Sequence, residues 1–291
     1  MFVQTNSIQA IKSYFKERLS NQFSENEIKF MLKEAVLQRL NMSASDYLMC
    51  DTQRLSESDL LYLRSIVKRL QANEPFQYIL GNTEFYGLQI KTDKRALIPR
   101  PETEELVDWI LEDFKSIPVD QFIDFCTGSG CIALALKSKL LSSKGIATDY
   151  SQEALNLTTE NVELLNLPIL VVFHNALSKE SVDTCMVNSC DFIVSNPPYI
   201  PVADKDEMHA NVLDYEPHLA LFVDDSNALL FYKAIGEHAL NLLKPNASIY
   251  FEIHERLGES TSALLKELGF VNIELRKDLQ GKDRMLKAQK S

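Results

Sequence analysis

The spacing of apolar residues changes near residue 75. Before it they recur every three to four positions: Ile28, Met31 and Val36 share one helical face, and Leu60, Leu63, Val67 and Leu70 share another. Ser24-Glu25-Asn26-Glu27 and Ser56-Glu57-Ser58-Asp59 precede these stretches. Their spacing lets a hydroxyl and an acid satisfy the free amides of a first helical turn. Residues 1–75 are therefore expected to form a small helical bundle, serving either as a capping or oligomerisation domain or as a recognition module. In 76–98, Gly81 and Gly87 punctuate Phe76-Gln77-Tyr78-Ile79-Leu80 and Glu84-Phe85-Tyr86-Gly87-Leu88-Gln89-Ile90, which predicts a linker containing a short β-hairpin. A helix follows, with Pro101 at its first position and Glu102, Glu104 and Glu105 where acids favour the helix dipole.

From about residue 120 short apolar runs at 122–125, 146–148, 169–173, 192–195 and 248–253 alternate with helical patterns at 132–141, 152–166, 227–243 and 255–268. Residues 177–190 carry little pattern. Such alternation predicts an α/β fold, a parallel sheet with helices on both faces and ligands at the carboxyl ends of the strands. Residues 271–276, the turn Gln280-Gly281-Lys282-Asp283 and residues 284–288 read as a closing antiparallel hairpin.

Composition narrows the class. At 291 residues and 45% apolar content the chain can bury a large core. It has no apolar run of membrane-spanning length, and Lys12, Lys16, Glu17 and Arg18 interrupt its start, so a cytoplasmic protein is expected. Five cysteines (Cys50, Cys126, Cys131, Cys185, Cys190) match no zinc or redox spacing and are expected to be reduced. Cys185 and Cys190 are the pair that could share a metal. The histidines (His174, His209, His218, His238, His254) show no ligand spacing, and no metal is expected. Of the net charge of −11, the first 80 residues carry +1 and the remainder −12, a poor host for a phosphate backbone.

Two stretches carry chemistry. Asp124-Phe125-Cys126-Thr127-Gly128-Ser129-Gly130 joins a strand to a helix; its glycines admit close backbone approach and the helix start supplies free amides. Asp149 ends the next strand, where a carboxylate can accept both hydroxyls of a ribose. With Ala133, the loop also satisfies a dinucleotide fingerprint, so the nucleoside remains open at this point. Asp191-Phe192-Ile193-Val194-Ser195 is a buried strand that stops at Asn196-Pro197-Pro198-Tyr199. The prolines cannot donate to a ladder, and the residue before a proline is held extended. The Asn oxygen and a Pro carbonyl can accept the two N–H bonds of a planar NH2 group while Tyr199 covers it. Arg100, between two prolines, is a solvated cation or a contact for a ligand carboxylate or a facing acidic loop.

Asn196-Pro197-Pro198-Tyr199 together with the glycine loop resembles the amino-group branch of the class I S-adenosylmethionine methyltransferases. The segment Leu97-Ile98-Pro99-Arg100-Pro101-Glu102-Thr103-Glu104, with Glu84-Phe85-Tyr86-Gly87, Tyr215-Glu216-Pro217 and Asp278-Leu279-Gln280-Gly281-Lys282-Asp283-Arg284, is similar to the peptide-chain release factor glutamine methyltransferases, the PrmC/HemK family. The resemblance covers about 74–288. It implies a helical substrate-recognition domain (1–75), a hairpin linker (76–98) and a Rossmann-like methyltransferase domain (99–291) with seven mostly parallel strands and an antiparallel C-terminal hairpin. It further implies methyl transfer from S-adenosyl-L-methionine, leaving S-adenosyl-L-homocysteine, to the side-chain amide of the glutamine in the Gly-Gly-Gln motif of release factors, in support of translation termination. The expected partner is a release factor, with no nucleic acid or membrane and a monomeric state.

By position, the resemblance gives Cys126, Thr127, Gly128, Ser129 and Gly130 to the methionine part of the cofactor, Asp149 to its ribose, and Asn175 and Ala176 to the region of adenine. Asn196, Pro197 and Pro198 take the substrate amide, Tyr199 packs over it, Arg100 contacts substrate and Asn196 also borders the cofactor. Three positions depart from the family pattern: Cys126 replaces the first loop glycine, Asn175 an Asp, and Glu252-Ile253-His254-Glu255 a Glu-Ile-Gly run. Rival readings are an adenine-type amine methyltransferase and a nonenzymatic binding protein with a degenerate loop.

Overall fold

The computed structural model describes residues 5–182 and 187–291. The first elements are α1 (Ile8–Leu19), α2 (Glu25–Leu40), α3 (Ala44–Leu48), α4 (Glu57–Gln71), α5 (Phe76–Leu80), β1 (Asn82–Phe85), β2 (Leu88–Lys91) and α6 (Pro101–Asp113). There follow β3 (Gln121–Phe125), α7 (Cys131–Lys139), β4 (Lys144–Asp149), α8 (Gln152–Leu165), β5 (Ile169–Phe173), β6 (Cys190–Ser195) and β7 (Ile200–Pro201). The chain closes with α9 (Ala210–Tyr215), β8 (Phe222–Val223), α10 (Leu230–Leu242), β9 (Leu243–Glu252), α11 (Gly258–Glu267), β10 (Phe270–Lys277) and β11 (Asp283–Lys290). Among the described residues no helix is long and apolar enough to cross a membrane.

Two compact units result, Met1–Leu80 with Ala210–Tyr215, and Gly81–His209 with Glu216–Ser291. In the first, the Ser24 box forms as expected: Glu27 N donates to Ser24 Oγ at 3.3 Å and Ser24 N to Glu27 Oε2 at 2.7 Å. Ser56 Oγ likewise accepts from Asp59 N at 3.2 Å. Ile28, Met31, Val36, Leu63, Val67 and Leu70, the stripes that the helical spacing predicts, are buried in the unit's core, joined by Ile11 and Phe15 of α1. Two helices were not expected. Phe76–Leu80 lies in the predicted linker, yet it is helical and belongs to this unit, as does α9, whose Tyr215 hydroxyl donates to Ala72 O at 2.6 Å.

The second unit opens with the hairpin β1–β2, Phe85 paired with Leu88. Tyr86 and Gly87 both have positive φ (52° and 74°), which suits a turn matched to strand twist. The main sheet runs β10-β11-β9-β6-β3-β4-β5. Its strands are parallel except where β11 runs antiparallel to β10 and β9. Alternation sorts the side chains. Phe122, Phe192, Val194 and Tyr250 pack with Trp109 of α6 and Leu134 of α7, while Ile123, Ile193, Ile249 and Phe251 pack with Ile235 of α10 and Leu265 of α11. Phe122 and Phe192 stack at 5.2 Å. A Cβ on Gly145 would meet the Phe122 ring at 2.8 Å, so β4 needs glycine there to pass it.

The seven strands and closing hairpin are those predicted, with shifted ends. Asp225–Asn227 forms a 3₁₀ turn capped by Asp224, which delays α10 to Leu230. Leu257 N bonds His254 O at 2.9 Å, and that turn delays α11 to Gly258.

Candidate active site

The strand register creates one row. Phe125 pairs with Thr148 on one side and Ser195 on the other, and Ser195 pairs with Phe251. One residue further on, at the carboxyl ends of β3, β4, β6 and β9, stand Cys126, Asp149, Asn196 and Glu252. β4 and β6 flank β3 on opposite sides, so the row crosses the point where the strand order reverses, the usual place for a ligand in such sheets.

The loop after β3 bends through left-handed backbone at Cys126 (φ 58°), Gly128 (59°) and Gly130 (83°). Only at Cys126 does a side chain bear that conformation, the reason glycine suits the position. Burial pushes the Cys126 thiol well up, so it stays protonated. Gly130 has a steric requirement too, since a Cβ there would lie 2.8 Å from Thr158 Cγ2. The loop is tied from α8: Thr158 Oγ1 donates to Gly128 O at 2.8 Å and Asn161 Nδ2 to Ser129 O at 2.9 Å. Asn161 also exchanges bonds with the backbone of Lys91 in β2, at 2.7 and 3.1 Å. Beneath the loop, Thr127 Oγ1 donates to Asp124 Oδ2 at 2.6 Å. Burial pushes the Asp124 carboxyl up to about 7, against the opposing pull of Thr127 and the Ala133 amide at the start of α7.

Asp149 is held by backbone: Gly128 N donates to Oδ2 and Ser151 N to Oδ1, each at 2.9 Å. Burial raises its carboxyl and these amides oppose the rise. After β5, Asn175 Oδ1 accepts from Leu177 N at 3.0 Å, fixing a turn that buries Ala176. Asn196 Nδ2 donates to Thr103 Oγ1 at 3.4 Å, and Thr103 Oγ1 donates to Glu252 Oε2 at 2.6 Å. Tyr199 OH donates to Glu252 Oε1 at 3.1 Å. Arg100 Nη2 meets Glu216 Oε1 at 2.5 Å and Ile98 N donates to Oε2 of the same buried carboxylate at 3.1 Å.

A cavity of about 300 Å³ joins these parts. Of the residues expected in the site, Arg100, Cys126, Thr127, Gly128, Ser129, Asp149, Asn175, Ala176, Asn196 and Pro198 line it. Gly130, Pro197 and Tyr199 do not. Gly130 is the N-cap of α7, Pro197 is buried, and Tyr199 is directed to Glu252 with its ring 5.9 Å from His254. Arg100 takes the facing acidic loop among its expected partners. Among the described residues no group of three His, Cys, Asp or Glu side chains could hold a metal; Cys185, half of the cysteine pair noted above, lies outside them.

Comparison with known proteins places this chain in a family. The Methyltransferase small domain matches residues 106–214 and the PrmC N-terminal domain matches 12–81. A release factor glutamine methyltransferase of Flavobacterium psychrophilum is 40% identical over 286 residues, 95% of this chain and 98% of that protein. One from Bacteroides thetaiotaomicron is 38% identical over 280 residues, 96% and 99% of the two chains. The chain belongs to the release factor glutamine methyltransferases. A solved methyltransferase from Pyrococcus furiosus, 17% identical, shares the fold with a TM-score of 0.54 over 77% of this chain and 99% of its own.

Three residues of this release factor glutamine methyltransferase escaped the sequence reading as parts of the site: Thr103, Asn161 and Glu252. Thr103 and Asn161 are polar positions inside amphipathic helices, where the pattern predicts solvent, and both are buried. Their one signal was that each falls on the apolar side of its helix, next to Leu106 and Val107 or to Leu157 and Thr158. Glu252, at the end of a buried strand, is marked in the sequence only as the first residue of Glu252-Ile253-His254-Glu255.

Proposed function

We propose that this chain transfers a methyl group from S-adenosyl-L-methionine to the side-chain amide nitrogen of the glutamine in the Gly-Gly-Gln motif of peptide-chain release factors. The observation that carries this reading is that Asn196 and Pro198 line the same cavity as Asp149 and the glycine loop. An amide-binding rim and a nucleoside-binding wall thus share one space. Near-full-length identity to release factor glutamine methyltransferases supports the substrate.

The cavity suits the cofactor. Its volume is at the lower end of small-molecule sites, roughly 300 Å³ and upward. Asp149 is oriented by two amides and retains acceptor capacity for ribose hydroxyls. At Gly128 a Cβ would find nothing nearer than Ala96 Cβ at 3.8 Å, so the glycine serves its left-handed backbone and leaves the loop open to a ligand. Cys126, Thr127, Gly128 and Ser129 would hold the methionine part, with Gly130 shaping the turn, and Asn175 and Ala176 the region of adenine. When bound, S-adenosyl-L-methionine supplies the methyl group, carried on a sulfonium centre.

A carboxamide nitrogen is a poor nucleophile because its lone pair is delocalised. Asn196 Oδ1 and a carbonyl of the Pro197-Pro198 turn would accept its two N–H bonds and set the direction of that lone pair, a contribution from positioning. As the N–C bond forms and the S–C bond breaks, the sulfur becomes a neutral thioether and the nitrogen loses one proton to solvent. Pro198 supplies an apolar wall. Tyr199, turned to Glu252, braces the strand end from outside the cavity. Arg100 holds Glu216 and with it the segment that brings Pro217, Leu219 and Ala220 to the cavity.

The test is incubation of the full chain with labelled cofactor and, in separate reactions, release factor, duplex DNA or ribosomal RNA. Label is expected on the release factor glutamine alone; label confined to nucleic acid would overturn the reading. Asn196→Ala is expected to retain cofactor binding by calorimetry while transfer falls at least a hundredfold.

A further inference from the structure

Asn196 can serve as an acceptor only if its amide presents oxygen, not nitrogen, to the substrate. The two ends have nearly the same shape, so something must select between them. The selection is visible in the hydrogen bonds behind the residue. Glu252 is fully enclosed at the end of β9 and receives two hydroxyls, Thr103 at 2.6 Å and Tyr199 at 3.1 Å. The shorter distance falls in the range of a hydroxyl donating to a carboxylate anion. A hydroxyl has one proton. Thr103 gives its proton to Glu252, so toward Asn196 it can only accept, and it accepts from Nδ2 at 3.4 Å. The amide end left for the other side is Oδ1.

We propose that Glu252, acting through the hydroxyl of Thr103, is a positioning residue that fixes which end of the Asn196 amide faces the substrate. The inference rests on the function proposed above, and it adds to it the device that makes Asn196 an acceptor. Burial pushes the Glu252 carboxyl up, while the Thr103 bond, the Arg284 charge and Tyr199 hold it down and Glu102 adds to the rise. Cys131 of α7 and Tyr232 of α10 also face it. Arg284 is itself fixed by Asp278, 3.1 Å away. Protonation of Glu252 gives the carboxyl a proton of its own to donate, and the direction at Thr103 is then no longer imposed.

The relay is tested with Thr103→Val, Thr103→Ser and Glu252→Gln in the full chain, each checked for folding by thermal melting. Thr103→Val is expected to lower kcat at least tenfold while KM for the release factor and the calorimetric Kd for S-adenosyl-L-methionine change by less than threefold. Thr103→Ser restores most of kcat. Glu252→Gln, the same size but able to donate to Thr103, loses at least as much as Thr103→Val. The wild type and Thr103→Ser show an acid limb in kcat above the ordinary glutamate range, absent from Thr103→Val. Retention of kcat within twofold in folded Thr103→Val and Glu252→Gln, or loss that Thr103→Ser fails to rescue, overturns the proposal. A readout independent of turnover separates this from failure of the function itself. With asparagine labelled by ¹⁵N, the Asn196 side-chain resonance, identified by its absence in Asn196→Ala, is expected to shift in Thr103→Val and Glu252→Gln and to hold in Thr103→Ser. An unmoved resonance overturns the relay whatever the substrate proves to be.

Discussion

Asp124, near the end of β3, and Cys126, at the start of the loop that follows, lie two positions apart, and each bears a cost that can be measured. The Asp124 carboxyl is raised to about 7 in the folded chain, above its unfolded value of 3.8. The folded state therefore binds the extra proton between those limits, and the stability so gained is complete below about pH 4 and lost as pH rises through about 7. Asp124→Asn removes the titration. Its unfolding free energy relative to wild type should climb with pH across that window, at most about 1.4 kcal/mol per pH unit, as denaturant melts at several pH values would show. A gap that does not change with pH would contradict this. At Cys126 the cost is conformational, because a side chain at φ 58° is disfavoured by roughly 1–2 kcal/mol. Cys126→Gly should be more stable than Cys126→Ala by about 1 kcal/mol, the reverse of the usual order for these residues.

The loop between β3 and α7 shows how one element constrains another. Gly130→Ala combines a left-handed φ with a contact of 2.8 Å to Thr158 Cγ2. A loss of roughly 2–3 kcal/mol is expected. Thr158→Ser, which removes that methyl and keeps the hydroxyl bond to Gly128 O, should recover the steric part in the double mutant and leave the backbone part; additivity of the two changes would deny the contact. This is also the scale at which the sequence was most and least readable. Strands such as 192–195 were legible because continuous apolar runs bounded by prolines have few alternatives, and their ends set the row that holds Asn196. Phe76–Leu80 and Ala210–Tyr215, of five and six residues, are too short for a helical period to show. Thr103 and Asn161 were illegible for another reason. A single polar residue that is bonded inside the fold looks, in the pattern, like one that is solvated.

At the scale of the whole molecule, the net charge of −11 is carried in full by the unit that holds the cavity, the helical unit being neutral. Ligand binding there should register as stability. S-Adenosyl-L-homocysteine at a hundred times its Kd is expected to add about 2.7 kcal/mol to unfolding of the cavity-bearing unit. At the same ligand concentration Asp149→Ala should remove most of the corresponding rise in melting temperature. An unchanged shift would take Asp149 out of the ribose role.

That role has a consequence for the enzyme at work. In the proposed ribose role Asp149, anchored by the amides of Gly128 and Ser151, would grip a sugar that is the same before and after the methyl group has left. Nothing in that grip would sense whether a reaction has taken place. On that proposal the by-product would compete for the cavity on nearly the terms of the fresh cofactor. The rate in a cell would then follow the ratio of the two nucleosides, and whatever clears the demethylated one would govern this enzyme without touching it.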